Sequence, residues 1–181
     1  SRPHGLCGSA YIDFLAEAHS NGLINANGRF GSDAGWPQLQ ADDDLGRYFA
    51  IDPRRNSRLC VTETDIAELL QAKAAIAGGI LSLLGLCGLR PADIEHVYVA
   101  GGFGRYLRLE HALEIGLLPG FTTEQLHVVG NASLAGAYLS LLDPALLHEL
   151  QAIANDAEYI ELNHVDSFED HFIDCLQIGK P

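Results

Sequence analysis

Residues 97–107 read VYVAGGFGRYL: four residues of strand character run directly into Gly101 and Gly102, with a third glycine at Gly104. Side chains are what a strand buries, so giving them up at its end calls for a reason in the backbone. Without Cβ atoms, Gly101 and Gly102 can take φ values closed to other residues and can admit a ligand into van der Waals contact. A tight strand-to-helix turn with no ligand uses the same residues. The spacing does show what the motif is not. No Gly-Lys-Ser/Thr follows, as a P-loop needs, and the glycines do not fall as G-x-G-x-x-G.

Working outward, the clearest helix precedes this strand. Thr62 is an N-cap candidate with Asp65 three residues on, and Ile66, Leu69, Leu70, Ile76, Ile80, Leu83 and Leu84 share one broad face to about residue 86. Gly78 and Gly79 lie inside it at a cost of about 1 kcal/mol each relative to alanine, so the helix bends there or another backbone packs close. Residues 91–93 turn into the strand. After the glycines come a helix at 110–115, a strand LHVVG at 126–130, and a helix, NASLAGAYLSLL, whose Ala132 and Gly136 make a small-residue face. A helix at 145–154 leads to an acidic tail, residues 155–174, with Tyr159, Phe168 and Phe172 as aromatic anchors.

Upstream, residues 5–24 begin with glycines at Gly5 and Gly8, place Ile12, Leu15 and Ala16 at helical spacing, and stop at Asn21-Gly22. Residues 25–59 are rich in Gly, Asn, Asp and Pro, with acidic residues at Asp42, Asp43 and Asp44. They predict an excursion or small subdomain with a strand near residues 48–51. The alternation of helix, strand, glycine turn, helix, strand and helix is α/β organisation with parallel strands, whose ligands bind at strand carboxyl ends. The step Ala100-Gly101-Gly102 lies at such an end.

The 181 residues, 48% of them hydrophobic, suffice for one large domain or two small ones. A formal charge of −13 repels phosphate backbones and anionic lipid, which argues against nucleic acid and membrane surfaces as partners. No apolar run is read as reaching the roughly 18 residues that span a bilayer, and no basic-then-apolar leader is present, so a cytoplasmic placement is expected. Cys7, Cys60, Cys87 and Cys175 form no C-x-x-C pair and read as buried thiols. Methionine is absent and the first residue is Ser1, so the chain reads as a piece of something longer.

Single residues offer less. Lys73 could meet a phosphate or ribose, or be solvated. Arg105 and Arg108 follow the turn closely enough to face an anion. Asp13 could reach a ribose or cap its own helix. His96, His111, His127, His148, His164 and His171 show no ligand spacing and predict no metal centre. Cys7, in a glycine turn, reads as a small buried residue rather than a reactive thiol.

The segments GLCGSAYIDFLAEAHSNGLI, VTETDIAELLQAKAAIAGGI, DIEHVYVAGGFGRYL, IGLLP and VGNASLAGAYLSLL together resemble the C-terminal region of the ATP-dependent reductive activators of corrinoid proteins. These belong to the superfamily of actin, sugar kinases and heat-shock chaperone ATPases (ASKHA). The resemblance runs in order over nearly all of residues 1–181 and is weakest at 25–59. It implies a ribonuclease-H-like half-domain, a mixed sheet flanked by helices, forming the C-terminal half of an ASKHA-type ATPase domain. The adenosine motif would be Val99, Ala100, Gly101, Gly102, Phe103 and Gly104. The long helix, with Gln71, Lys73 and Ala74, would line the adenine, and the helix from Asn131 would be the hinge between halves. The phosphate loops of the first half, with their Asp-x-Gly-x-Thr form, have no counterpart; Asp33-Ala34-Gly35 followed by Trp36-Pro37 imitates one by chance. The ferredoxin-like domain with its 2Fe-2S ligands is likewise absent. The resemblance thus implies half of a site for ATP with magnesium, in a parent that returns a cobalt(II) corrinoid protein to cobalt(I). Its expected partners are the missing N-terminal half, the corrinoid protein and, potentially, a second copy. A phosphotransferase, a dehydratase activator and a non-catalytic module docking through the acidic tail are the alternatives.

Overall fold

The spacing of Thr62 and Asp65 becomes a closed capping box in the computed structural model, which describes residues 5–32, 35–52, 59–104 and 106–179. The Asp65 N–H donates to Thr62 Oγ1 at 3.0 Å and the Thr62 N–H to Asp65 Oδ2 at 2.9 Å, so two N–H groups that a helix start leaves unpaired are satisfied. From there α2, Glu63–Leu86, runs 24 residues without interruption. Of the two explanations for Gly78-Gly79, the close backbone is the one found. A Cβ at Gly78 would stand 3.0 Å from the nitrogen of Phe172 and 3.2 Å from its Cα.

That approach redistributes the apolar residues of α2. Ile66 and Leu70 are buried as expected, but beyond them the covered stripe is Lys73 followed by the small residues Ala74, Ala77, Gly78, Gly79 and Ser82. Ile76 and Leu83 are 52% and 42% exposed, against the single broad face read from the sequence. Backbones that nearly touch leave room only for small side chains between them, so the bulky ones turn outward. A second expectation also needs correction. By its length and a mean hydropathy of 1.6, Glu63–Leu86 is apolar enough to cross a membrane. A neighbouring helix covers part of it, and 39% of its apolar window is buried within the fold.

α1 spans Gly8–Ser20 and ends at Asn21 and Gly22, the latter at φ +73°. Leu15 and Ala16 are fully buried and join Ile24, Phe30, Val61 and Ile66 in the main core. The region 25–59 holds more order than its composition suggests. Together with its flank it forms β1 (Leu39–Asp42), β2 (Gly46–Ala50) and β3 (Cys60–Thr62), an antiparallel sheet in the order β1-β2-β3. β2 is the strand expected near residues 48–51; the other two are too short for alternation to register. Asp42 closes the hairpin, its Oδ1 accepting from the N–H groups of Asp44 and Leu45 at 3.0 and 2.6 Å. Phe49 fastens this sheet to α1 by a ring contact with Phe14 at a centroid distance of 5.7 Å, and Trp36, from the segment before β1, packs on the same ring at 6.4 Å.

The second sheet is a parallel pair, β4 (Val97–Ala100) and β5 (Leu126–Gly130), with Tyr98 opposite His127 and Ala100 opposite Gly130. The two strand directions expected of a mixed sheet are therefore divided between two small sheets. β4 runs into α3 (Gly101–Gly104), a single helical turn, and then α4 (Leu109–Glu114). β5 runs into α5 (Ala132–Leu142), capped by Asn131 Oδ1, which accepts from the Leu134 N–H at 3.0 Å. α6 (Ala145–Asp156) follows, and neither α5 nor α6 contains a buried residue. α7 (Phe168–Asp174) belongs to the acidic tail yet packs inward on α2, where Ser82 Oγ and His171 Nδ1 lie 2.9 Å apart.

Candidate functional site

The carboxyl end of the parallel pair is where ligands bind in open α/β sheets, and here it is open. Gly101 has φ +93°, and among the described residues, its adjoining chain aside, nothing lies within 4 Å of a Cβ built on Gly101 or Gly102. A bend filled from within by its own side chains would have left no site. Gly130, opposite Ala100 in the register, ends β5 at φ +67° and is equally unobstructed. Two bare turns thus stand side by side, and the second leads at once into the N-terminus of α5, where Asn131 Oδ1 already accepts from the Leu134 N–H. Sequence reading missed Gly130 because it sits in LHVVGN as a single glycine; only the pairing of β4 with β5 sets it beside the motif.

Gly104 differs from its neighbours. A Cβ there would meet Val99 Cγ1 at 2.9 Å and the Val99 carbonyl oxygen at 3.4 Å, so close packing inside the turn accounts for this glycine. Ala100 is exposed, and Phe103 contributes its backbone to the turn. Arg105, Asp33 and Ala34 lie outside the described residues, as does the side chain of Phe103.

The remaining candidates are not gathered at the turn. Gln71 is exposed on α2, whose packing is chiefly with α7, β3 and β2, whereas the glycine turn packs on β5 and β4. Ala74 is fully buried. Lys73 is turned away from solvent: it is 2% exposed and its ammonium donates to the Gln177 carbonyl at 2.7 Å. Burial pulls its pKa down from 10.5 to about 8. Its long stem belongs to the covered stripe of α2, which carries the charge inward. Asp13 is neither a cap nor free to reach a ribose. It lies in the middle of α1, whose N-cap is Cys7. The His111 imidazole donates from Nδ1 to Asp13 Oδ1 at 2.6 Å, and Arg108 Nε stands 3.8 Å from Oδ2. This cluster ties α1 to α4 just beyond the turn.

The cysteines do not share one environment. Cys175 is buried, Cys60 half-buried, and Cys7 and Cys87 are exposed, which corrects the reading of all four as buried thiols. Cys7 stands ahead of the buried face of α1. A hydrogen bond with Ser9 Oγ at 3.2 Å, helped by the Ala10 backbone, lowers its thiol pKa. The four are dispersed, and no group of three or more His, Cys, Asp or Glu converges among the described residues. This donor set does not fit an iron–sulfur cluster within the chain.

Charge is also divided along the chain. Between Leu109 and Gly179 there is no lysine or arginine, while twelve carboxylates occur there. A cationic grip on phosphates is therefore not supplied from the β5–α7 portion.

The family model for the C-terminal domain of RACo, the ASKHA domain, matches residues 1–180. The corrinoid activation enzyme RamQ of Eubacterium limosum is 32% identical over 170 residues, which are 88% of this chain and 29% of that protein. A [Co(II) methylated amine-specific corrinoid protein] reductase of Methanosarcina barkeri is 28% identical over 115 residues, 62% of this chain and 21% of its own. The solved structure of a reductive activator for corrinoid, iron–sulfur protein superposes with a TM-score of 0.88 at 34% identity, covering 98% of this chain and 29% of that one. The chain thus spans less than a third of the length of these relatives. With the family model matched over residues 1–180, the chain belongs to the family of RACo C-terminal, ASKHA domains.

Proposed function

We propose that this chain is the adenosine-binding half of an ATP-dependent activator that returns a cobalt(II) corrinoid protein to cobalt(I). The observation that carries the reading is the uncovered pair of turns at Gly101-Gly102 and Gly130, where no described residue beyond the adjoining chain comes within 4 Å of an added Cβ. A nucleoside fits such a cradle, with Ala100, Gly101, Gly102 and the backbone of Phe103 against it and Gly130 beside it. ATP, when bound, supplies a phosphoanhydride whose binding and hydrolysis favour one arrangement of the complex over another. Such differential binding can drive an uphill reduction. This chain's own part is to hold and orient the nucleoside. Magnesium and the phosphate grip belong to the other half, and the electron comes from a 2Fe-2S domain elsewhere in the polypeptide.

The exposed apolar residues of α5 and α6 support the division into halves. Leu134, Tyr138 and Leu141 are 66%, 61% and 83% exposed, and a Cβ on Gly136 meets nothing within 4 Å. An exposed face of this kind calls for a cover, and the first half of the same ATPase domain is the cover proposed, with homodimerisation as the competing use. The reading places the protein in the cytoplasm, where its reductant and ATP are found.

The test uses the full-length polypeptide. Gly102→Val fills the open turn without touching the fold, so the melting temperature stays within about 2 °C, while nucleotide affinity falls tenfold or more, about 1.4 kcal/mol. Cobalt(II) to cobalt(I) conversion, followed by visible absorption of the corrinoid partner, falls in parallel. Unchanged nucleotide affinity in a normally folded variant would remove the turn from the site.

A further inference from the structure

The parallel pairing of β4 with β5 has an effect at the end of the sheet opposite the glycine turn. Tyr98 lies opposite His127, and His96 precedes Tyr98 by two residues on the same face. The imidazoles meet nitrogen to nitrogen, with His96 Nδ1 2.9 Å from His127 Nε2. Their rings stand edge to face at a centroid distance of 4.9 Å, and the Tyr98 ring lies 6.1 and 5.6 Å from the two. His96 is exposed and His127 half-buried, so solvent reaches the pair.

We propose that His96 and His127 form a two-point chelate for a late first-row divalent cation, with copper(II) and nickel(II) preferred over zinc(II). The preference follows from the nitrogen separation. With metal–nitrogen bonds of about 2.05 Å, nitrogens 2.9 Å apart subtend an angle of about 90° at the metal, whereas a tetrahedral angle needs them about 3.3 Å apart. A right angle is the cis relation of square-planar and octahedral sites, and the intrinsic affinity order also places copper(II) and nickel(II) high. Without metal, one facing nitrogen donates its hydrogen to the other. On binding, that proton moves to the outer nitrogen of the same ring, both facing lone pairs turn to the cation, and no net proton is released. Water completes the coordination. The site is about 16 Å along β4 from Gly101 and independent of the nucleotide reading.

The experiment is titration of the full-length polypeptide with copper(II) and with nickel(II), by calorimetry and, for copper, by electron paramagnetic resonance. His96→Asn and His127→Asn each lower copper affinity about tenfold or more, and the double variant loses little further because either change already breaks the chelate. The copper spectrum passes from two-nitrogen to one-nitrogen splitting in the single variants. His148→Asn and His164→Asn serve as controls and leave both readouts unchanged. Circular dichroism checks the fold, which substitutions at a solvent-reached pair should preserve. If neither single variant changes affinity, or if the controls weaken binding equally, the pair is only a hydrogen bond and the proposal is wrong.

Discussion

Lys73 offers a direct check on the interior of the fold, because a buried ammonium writes its position into the pH dependence of stability. Its pKa of about 8 in the folded chain lies below its ordinary 10.5. Between those values the native state binds fewer protons than the unfolded state, so stability rises with pH across the window and the penalty is fully present below pH 8. Integrated from pH 7 to pH 9, the gain is about 1 kcal/mol. As pH approaches 9 an opposing effect begins. Burial raises the pKa of Cys175 above 9.0, so the unfolded thiol ionises first and stability falls as pH rises further. Urea denaturation at pH 7, 8 and 9 therefore isolates the lysine when the protein is compared with Lys73→Met, which keeps the volume of the side chain and removes its titration. The difference in unfolding free energy between the two should shift by about 1 kcal/mol in favour of Lys73 over that range. Two curves that stay parallel would refute the buried ammonium and return Lys73 to the list of residues able to reach a ligand.

Three further outcomes follow from the packing. Gly78→Ala pushes a methyl group to 3.0 Å from the Phe172 nitrogen, and thermal unfolding should show a loss of about 1–3 kcal/mol as α7 is forced off α2. Thr62→Ala opens the capping box of α2 and should lower the unfolding free energy by about 1 kcal/mol in chemical denaturation. Gly104→Ala drives a methyl group to 2.9 Å from Val99 Cγ1, so it should destabilise the fold by about 1–3 kcal/mol, in contrast to the silent melting curve expected of Gly102→Val.

What the sequence determined by itself was local. Thr62 and Asp65 specify the start of α2, Asn21-Gly22 the end of α1, LHVVG the strand β5 and Asn131 the cap of α5, since each depends on atoms a few residues apart. The turn at Gly101-Gly102 was legible for the same reason, and a resemblance spread over five segments gave it a context. The tertiary structure decided everything that depends on which surfaces meet. The docking of α7 chose small residues for the covered stripe of α2, carried Lys73 inward to Gln177 and left Ile76 exposed. α4 took Asp13 as the partner of His111, and the β4–β5 register set Gly130 beside Gly101 and His96 beside His127. Periodicity states that a helix has a face, but the width of the gap that face must fill is fixed by a backbone about a hundred residues away.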